Sequence, residues 1–514
     1  MWSRRDQIQA YQFLRRRTVS AILVGDANHA ESPTKRAIVA FITGAVVLVL
    51  MLAGFGIYGL LRPGSSTAWK QAGTIVQEKE TGARYVYGED ELLHPVLNYT
   101  SARLVTGGGA LVRVSAASLD EVERGLPVGI PGAPDAIPPA KQLVASQWAA
   151  CSVVSADAGP TPIARVVLVV GATRASSAEK DLGAGAVVVR SEQELYVVAD
   201  GRRMWVRGKQ PSLVLGALGL ERSPIVEVAP MWLDALPAGP DLSFIDVPQR
   251  GQPSTAIPGV QARVGQIFAD QVAGASNERY FVLLTDGLAP IATTQARLLL
   301  GDPRSQNAYG NQPVSAREIS PASLATVPQS SAVFNLEAYP SQPLQALSLE
   351  LRDDIALCAR PVGFRDGVPL FTISLAFSLP VPDGREVIRT ADSGDLKSSG
   401  PAYAEEVAVP PGAGALVLSV PADDVSDGPR YLVTDQGVRH AVIGEESLKA
   451  LGYADVEPVP IPASFAAMLV PGPALDSAEA AKFRTAVAPD PVPGPESPGS
   501  ESPGSESPAS ESGL

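Results

Sequence analysis

The longest apolar run of the chain lies close to its N-terminus. Residues 37–61 form 25 consecutive positions without a charged side chain. At about 1.5 Å rise per residue, such a helix crosses a hydrocarbon core of about 30 Å. A cleaved signal peptide is one alternative, but its apolar part is shorter, and LLRPGSSTAW after the run has no A-x-A cleavage pattern. A buried soluble helix is the other, and it is rarely this long. The run therefore predicts one uncleaved transmembrane helix.

Charge on either side of this helix predicts its orientation. Residues 1–36 hold seven basic and three acidic side chains, a net charge of +4. The overall net charge is −13, so the rest of the chain carries −17. Basic residues close to a spanning helix are retained in the cytoplasm. The N-terminal arm is therefore expected inside, and the large C-terminal part outside as an ectodomain, the topology of a single-pass membrane protein.

Residues 6–24 of the arm show a helical period. Apolar side chains recur at spacings of three and four, which predicts an amphipathic helix with one apolar stripe: Ile8, Tyr11, Leu14 or Arg15, Val19 and Ile22. Three roles remain open, namely binding to an anionic membrane surface, binding to a cytoplasmic partner, and fixing topology alone. The candidate partner-binding residues are Tyr11, Leu14, Arg15, Arg16 and Arg17.

A tyrosine-led pattern recurs four times in the ectodomain. Each copy predicts a strand, a tight turn, a second strand and then a short helix, and the Asp-Gly turns favour hairpins. The copies begin at Tyr85, Tyr196, Tyr280 and Tyr431, and the helical stretches are 100–105, 213–219, 294–301 and 446–452. Units this small cannot bury a face alone, so they are expected to pack on a shared body.

That shared body is itself predicted to be duplicated. The segment from Gly183 matches the segment from Gly412, and each precedes a repeat. The fold class is therefore expected to be α+β: an N-terminal amphipathic helix, one transmembrane helix, and a β-rich ectodomain with a duplicated central core and four peripheral hairpin-plus-helix repeats. The expected bounds are 1–36 for the arm, 37–61 for the membrane helix, 83–132, 195–243, 279–330 and 429–475 for the repeats, 140–194 and 331–428 for the core halves, 244–278 for a linker, and 476–514 for a tail.

Composition changes this picture in three places. The tail repeats Glu-Ser-Pro-Gly-Ser, especially from 486, and is expected to be disordered because it has few large apolar residues. An acidic ectodomain excludes binding to nucleic acid, which relies on clustered Lys and Arg. The two cysteines, Cys151 and Cys358, predict a disulfide in an oxidising compartment, with free buried thiols as the alternative.

Catalytic motifs are scarce. His94 and His440 each stand nine residues after a repeat tyrosine, where the other copies have Trp205 and Ala289, so a packing role is expected for both. The turn residues Asp200, Asp286 and Asp435 are turn formers. No G-x-S-x-G elbow, phosphate loop or zinc-ligand spacing occurs, and Asn98-Tyr99-Thr100 is a formal glycosylation sequon. The sequence predicts no catalytic residue, no metal site and no cofactor.

Several segments together resemble one family. QIQAYQFLRRR at 7–17, the spanning helix, HPVLNYTSARL at 94–104, DGLAPI at 286–291 and the tyrosine-led repeats resemble EccB, the single-pass membrane component of the type VII (ESX) secretion system. The likeness runs from the N-terminus to about residue 475 and leaves out the tail.

The resemblance implies a scaffold rather than an enzyme. It implies an inner-membrane complex with an EccC-type motor ATPase and EccD- and EccE-like subunits, a periplasmic ectodomain that associates with other copies and with a mycosin protease, and export of small helical-hairpin proteins. Some members of the family are described as ATP hydrolases. The alternative function is therefore a membrane-anchored extracytoplasmic hydrolase acting on nucleotide or cell-wall material.

Overall fold

The computed structural model describes residues 3–26, 33–61, 69–144, 147–155, 163–172, 179–270, 279–334, 336, 338–340, 342–347, 355–381, 388–389, 403–420 and 428–484. These residues divide into two compact units. The first comprises Met1–Ala83, Tyr87–Leu93 and Leu111–Glu123, and the second comprises Arg84–Val86, His94–Ala110 and Arg124–Leu514. Residues 485–514, for which the sequence predicts disorder, lie outside the described residues.

Long helices occur at the N-terminus and short ones elsewhere. Among the described residues the helices are α1 (Arg4–Val24), α2 (Pro33–Leu61), α3 (Tyr99–Thr106), α4 (Pro211–Ala217), α5 (Pro230–Ala235), α6 (Thr293–Gly301), α7 (Gln306–Tyr309), α8 (Pro321–Leu324), α9 (Gly444–Leu451), α10 (Ala463–Ala467) and α11 (Ser477–Ala480). Helices α3, α4, α6 and α9 lie on the four stretches in which the sequence predicts them.

Strands are the commonest regular elements among the described residues after residue 69. They are β1 (Thr74–Glu78), β2 (Arg84–Tyr87), β3 (Leu93–Pro95), β4 (Leu111–Val114), β5 (Trp148–Ser155), β6 (Ile163–Val170), β7 (Glu179–Asp181), β8 (Gly185–Ser191), β9 (Glu194–Ala199), β10 (Arg202–Trp205), β11 (Ile225–Glu227), β12 (Pro253–Ser254), β13 (Ala262–Arg263), β14 (Ile267–Asp270), β15 (Arg279–Leu283), β16 (Leu288–Ile291), β17 (Arg317–Glu318), β18 (Gln345–Ala346), β19 (Ala356–Arg365), β20 (Val368–Ala376), β21 (Ile388–Arg389), β22 (Glu406–Ala408), β23 (Ala415–Val420), β24 (Arg430–Val433), β25 (Val438–Ile443), β26 (Val459–Pro462), β27 (Val470–Pro471) and β28 (Leu475–Asp476).

The first unit combines the two N-terminal helices with a small β segment. Strand β1 pairs in parallel with β4, with Ile75 opposite Leu111. Trp69 is fully buried and meets Tyr87 edge to face, with ring centroids 5.6 Å apart. Aromatic pairs favour this arrangement because the ring edge is positive and the face negative.

The second unit contains a seven-stranded sheet, here called the central sheet, in the order β21-β22-β6-β5-β19-β20-β7. Its strands come from two distant stretches of the chain, because β5 to β7 precede residue 182 and β19 to β22 follow residue 355. The two stretches meet where β5 runs antiparallel to β19, with Cys151 directly opposite Cys358. Alternate residues of these strands pack on α5 and α10 in one hydrophobic core.

Three further sheets of this unit, here called the satellite sheets, share one connectivity. Their orders are β10-β9-β8-β11, β16-β15-β14-β17 and β26-β23-β24-β25-β27. In each, a lead strand is followed by an antiparallel hairpin and a short helix, and a return strand then pairs in parallel with the lead strand. Parallel pairing needs such a crossover, and in each sheet the hairpin and the short helix together provide it.

The lead strands correct the predicted boundaries. The segments after Gly183 and Gly412 were expected in the central core, yet β8 and β23 are lead strands of satellite sheets. The third lead strand, β14, lies in the expected linker 244–278. The sequence match between the two glycine segments therefore reflects the satellite sheets themselves.

The C-terminal boundary at 476 is also wrong. Strand β28 pairs with β25 through Asp476, and α11 follows immediately. Ala480 is fully buried, so residues 477–480 belong to the folded body. The error arose because SAEAAKF is rich in small residues and precedes a Pro-, Glu- and Ser-rich tail.

Short helices from distant parts of the second unit contact one another in pairs. Helix α3 packs against α9, and the Arg103 Nε donates to the Ala450 carbonyl oxygen at 3.0 Å. Helix α4 packs against α6, where a Cβ built on Gly301 would lie 2.2 Å from the Ala217 Cβ. Only glycine fits such a close approach, so this helix contact depends on Gly301.

Candidate partner-binding surfaces

Helix α1 is capped at both ends by its own residues. The Ser3 hydroxyl accepts from the Asp6 N–H, and the Asp6 carboxylate accepts from the Ser3 N–H at 3.0 Å and from the Ser3 hydroxyl at 2.8 Å. These hydrogen bonds from Ser3 hold the pKa of Asp6 below its usual value. Gly25 ends the helix in the left-handed conformation, and its N–H bonds to the Ala21 carbonyl. The reciprocal N-cap and the glycine stop fix the helix bounds locally.

The predicted partner-binding residues all lie on α1, and its apolar side chains are exposed. Tyr11 is 69% exposed and Leu14 is 63% exposed. Arg15, Arg16 and Arg17 follow within one turn, so cations flank the apolar stripe over about 5 Å of the helix axis. The structure thus brings the five predicted residues onto one stretch of an exposed helix.

Phe13 was not predicted as part of this surface. It is as exposed as Leu14, and the Arg17 guanidinium lies over its ring, 5.6 Å from the centroid. Phe13 falls outside the spacing of three and four that defines the stripe, which is why the pattern missed it. The apolar surface of α1 is therefore wider than the stripe.

Helix α2 has the length and composition of a membrane span. Ala37–Tyr58 form a stretch of 22 apolar residues, and none of the stretch is buried within the protein. The helix begins at Pro33, where the missing N–H of proline costs nothing. A buried soluble helix would have packed its side chains in the protein core, so the exposure of α2 counts against that alternative.

His94 and His440 occupy matching environments. Nδ1 of His94 lies 2.9 Å from the Leu126 carbonyl oxygen, and Nδ1 of His440 lies 3.0 Å from the Pro473 carbonyl oxygen. A carbonyl can only accept, so Nδ1 carries the proton in each ring. Both rings are buried, and burial lowers the pKa of His440 below its usual value.

Glycine backbone makes room for both rings. A Cβ on Gly125 would lie 2.3 Å from His94, and one on Gly472 would lie 2.2 Å from His440. Each imidazole is buried, donates its Nδ1 proton to a carbonyl and packs closely on glycine backbone. These are the contacts of a structural side chain rather than a catalytic one. This arrangement agrees with the packing role that the sequence predicts.

The Asn98 side chain of the formal sequon is engaged in hydrogen bonds within the fold. The Asn98 Oδ1 accepts from the Ser101 N–H at 2.9 Å and so caps α3, while Nδ2 donates to the Ile130 carbonyl at 2.8 Å. The side chain is buried. An amide nitrogen held in this way is not accessible for glycosylation in the folded protein.

The turn aspartates hold neighbouring loops. Asp286 accepts from the Ser330 hydroxyl at 2.6 Å and from the Ser331 N–H at 2.9 Å. These hydrogen bonds lower the pKa of Asp286 to about 2. Asp435 accepts from the Gly412 N–H at 2.8 Å. Their roles are structural, as predicted for turn formers.

Cys151 and Cys358 form a disulfide bond between β5 and β19. Both residues are fully buried in the central sheet. The bond joins strands that come from the two distant stretches of chain. The predicted Cys151–Cys358 bond is therefore present in the structure, which counts against free thiols at these positions.

A cleft of about 500 Å³ lies beside the β9–β10 hairpin. The Arg207 guanidinium stacks on Trp205 at 4.0 Å from the ring centroid, and its Nε pairs with Asp241 at 2.8 Å. Arg190 pairs with Glu227 at 2.7 Å. A phosphate entering this cleft would have to displace a carboxylate from each arginine, so the cleft is poorly suited to nucleotide. Within the described residues no three His, Cys, Asp or Glu side chains cluster as a metal site would require.

These features define a class of protein: a membrane-anchored subunit whose apolar and basic surfaces suit binding to other proteins. The family described as "Type VII secretion system ESX-1, transport TM domain B" matches residues 1–489. The chain belongs to this EccB family of the type VII secretion system.

Similar proteins agree over nearly the whole length. The chain is 29% identical to "ESX-3 secretion system ATPase EccB3" of Mycobacterium tuberculosis, over 95% of this chain and 91% of that protein. It is 31% identical to "ESX-2 secretion system ATPase EccB2" of the same species, over 92% of this chain and 93% of that protein. The names of both relatives include the word ATPase.

Solved structures with this fold come from secretion complexes. A chain of an intact ESX-5 inner membrane complex is 26% identical with a TM-score of 0.63, covering 96% of this chain and 97% of its own length. A chain of the EccB3 dimer from the ESX-3 core complex is 26% identical with a TM-score of 0.62, covering 79% of this chain and 99% of its own length.

Proposed function

We propose that this protein is a single-pass scaffold subunit of a type VII secretion complex. The family match over residues 1–489 carries the proposal, because it includes the N-terminal arm, the membrane helix and the β-rich region together. The arm, with its net positive charge, lies in the cytoplasm, and residues 69–484 lie on the extracytoplasmic side. The complex exports small helical-hairpin proteins, and this subunit connects its cytoplasmic and periplasmic parts.

The cytoplasmic helix binds partner subunits in this proposal. Helix α1 exposes Tyr11 and Leu14 although its ends are firmly capped, so an ordered apolar surface faces solvent in the isolated chain. Arg15, Arg16 and Arg17 add a strongly basic edge. The partners are an EccC-type motor ATPase and EccD- and EccE-like subunits, and an acidic surface on any of them would complement this edge.

The β-rich region builds the periplasmic part. One solved relative comes from the periplasmic assembly of the ESX-5 inner membrane complex, and another from an EccB3 dimer. We extend this self-association, and contact with a mycosin protease, to the present chain. We keep the four predicted repeats around a duplicated core joined by the Cys151–Cys358 bond, and the support is the shared connectivity of the three satellite sheets together with the parallel pairing of β1 and β4.

The contribution of α1 can be tested on the full chain in a host that supplies the other subunits. Tyr11→Ser with Leu14→Ser should abolish the large complex on native gels, because it removes the apolar stripe. Leu23→Ser is the matched control, since Leu23 is as exposed as Leu14 but lies off the stripe in the last turn of the same helix. The proposal would be contradicted if the control variant alone lost the complex, or if the complex stayed intact in both variants.

Orientation is testable by accessibility. A cysteine introduced at Ser3 should resist a membrane-impermeant maleimide in intact spheroplasts, whereas one at Ser212, which is exposed on α4, should react after the outer layers are removed. Labelling at Ser3 without lysis would place the arm outside and reverse the proposed topology.

Hydrolysis is the competing function, and the names of the relatives are the reason to test it. We expect the purified full chain to release no phosphate from Mg²⁺-ATP above a buffer blank. Turnover that is abolished by Arg190→Ala, which removes an arginine from the cleft beside the β9–β10 hairpin, would establish an enzyme instead. A Lys141→Ala chain would serve as the surface control.

A further inference from the structure

The last four described residues lie along the edge of a distant segment. Residues 481–484, here called the strap, run beside residues 126–129, and Phe483 pairs with Val128 as an antiparallel bridge. The Arg484 N–H donates to the Pro127 carbonyl at 2.7 Å, and the Arg484 Nε donates to the Gly129 carbonyl at 2.9 Å. The strap therefore adds a short strand to this edge.

Side chains give the contact its selectivity. The Phe483 ring meets His94, with centroids 5.3 Å apart. The Arg484 guanidinium also pairs with Glu479 at 2.8 Å, so the strap is folded back onto α11. The side chains that contact this edge are thus an aromatic residue and the arginine that directly follows it.

The strap is more exposed than the helix before it. In α11, Ala480 is fully buried and the Ser477 N–H bonds to the Ser447 hydroxyl at 3.0 Å. In the strap, Phe483 remains 60% exposed. Few buried contacts and exposed backbone hydrogen bonds are the marks of a segment that opens locally.

The receiving edge does not depend on the strap. The Val128 N–H donates to the Pro95 carbonyl at 2.9 Å, and the Leu97 N–H donates to the Val128 carbonyl. Asn98 fixes the Ile130 carbonyl from the other side. If the strap leaves, these bonds persist, and the carbonyls of Pro127 and Gly129 point to an unfilled strand position.

We propose that residues 126–129 form a strand-acceptor site and that residues 481–484 are a detachable strap that fills it. The same segment of a second copy offers the same aromatic ring, arginine and backbone N–H, so the site accepts it when its own strap is absent. Strand addition of this kind draws affinity from main-chain hydrogen bonds and specificity from alternate side chains. This inference goes beyond the proposed scaffold role and does not rest on it.

Hydrogen exchange on the full chain tests detachment. The Arg484 amide should exchange at least about tenfold faster than the Val128 amide, since the strap opens alone. Phe483→Ala should remove the protection of Arg484 and leave that of Val128 unchanged. Equal protection of both amides would overturn the proposal, because the strap would then open only when the whole region unfolds.

A peptide tests the acceptor site. Two chains are compared in detergent, one ending at Ala480 and one ending at Arg484, with a fluorescein-labelled peptide of residues 479–484 as the probe. Fluorescence anisotropy should show binding to the shorter chain and about tenfold weaker binding to the longer one, in which the strap competes. Peptides with Phe483→Ala or Arg484→Ala should also bind about tenfold more weakly. Equal binding to both chains, or no binding to the shorter chain at millimolar peptide, would refute the acceptor site.

Discussion

Helices α1 and α5 both carry aromatic and leucine side chains, but these are exposed in α1 and buried in α5. In α5, Trp232 is fully buried and Leu233 is 2% exposed, because the helix packs on the central sheet. In α1, Tyr11 and Leu14 remain largely exposed. The apolar side chains of α5 stabilise the fold of the chain itself, whereas we infer that those of α1 are covered only in a complex. Changes in the two helices should therefore affect different measurements.

The largest effect is expected at Trp232. Its indole Nε1 donates to the Ala150 carbonyl at 2.9 Å, and the ring lies between β5 and the rest of the central core. Trp232→Ala should lower the free energy of unfolding by about 3–5 kcal/mol, because it leaves a cavity and removes the hydrogen bond. Thermal unfolding of the full chain in detergent measures the loss. Trp205→Ala, on the surface of the β9–β10 hairpin, should cost clearly less, and equal losses would contradict this account of the core.

The disulfide should give the next effect. The Cys151–Cys358 bond closes a loop with a sequence separation of 207 residues. Cys151→Ala with Cys358→Ala should destabilise the chain by about 2–5 kcal/mol. Reductant should lower the unfolding midpoint of the wild type to that of the double variant and leave the variant unaffected. A variant as stable as the wild type would show that the adjacent strands need no covalent link.

The difference between the two regions also determined what the sequence could predict. The membrane helix, the α1 stripe and the cysteine pair are visible from composition and local spacing. The lead strand β8 was misplaced because its partner β11 lies beyond a hairpin and a helix, so its pairing is non-local. The strap was missed because Phe483 is a single aromatic residue in an otherwise small and polar segment. Phe13 was missed because it lies off the helical period.

Acid should weaken the β-rich region through His440. Burial lowers the pKa of His440 in the folded chain, so on acidification the unfolded chain binds the proton first. The stabilising contribution is complete above a pH of about 6.5 and is lost as the pH falls from there through the lower folded pKa. His440→Gln, which cannot titrate, should show a flatter fall in unfolding midpoint between pH 7 and 5. Parallel curves for the two proteins would mean that other groups cause the acid sensitivity.

The smallest effect on stability is expected in α1, and a matched pair of substitutions makes the comparison quantitative. Leu233→Ala removes a side chain from the central core and should cost about 2–5 kcal/mol. Leu14→Ala removes an identical side chain that is 63% exposed, and should change the unfolding free energy by no more than about 0.5 kcal/mol. On native gels Leu14→Ala should reduce the amount of complex more than Leu233→Ala does, because only Leu14→Ala removes an apolar side chain from the surface of α1 that binds partners. If Leu14→Ala instead destabilises the isolated chain as much as Leu233→Ala does, α1 packs within its own chain, and its exposed stripe is not a partner-binding surface.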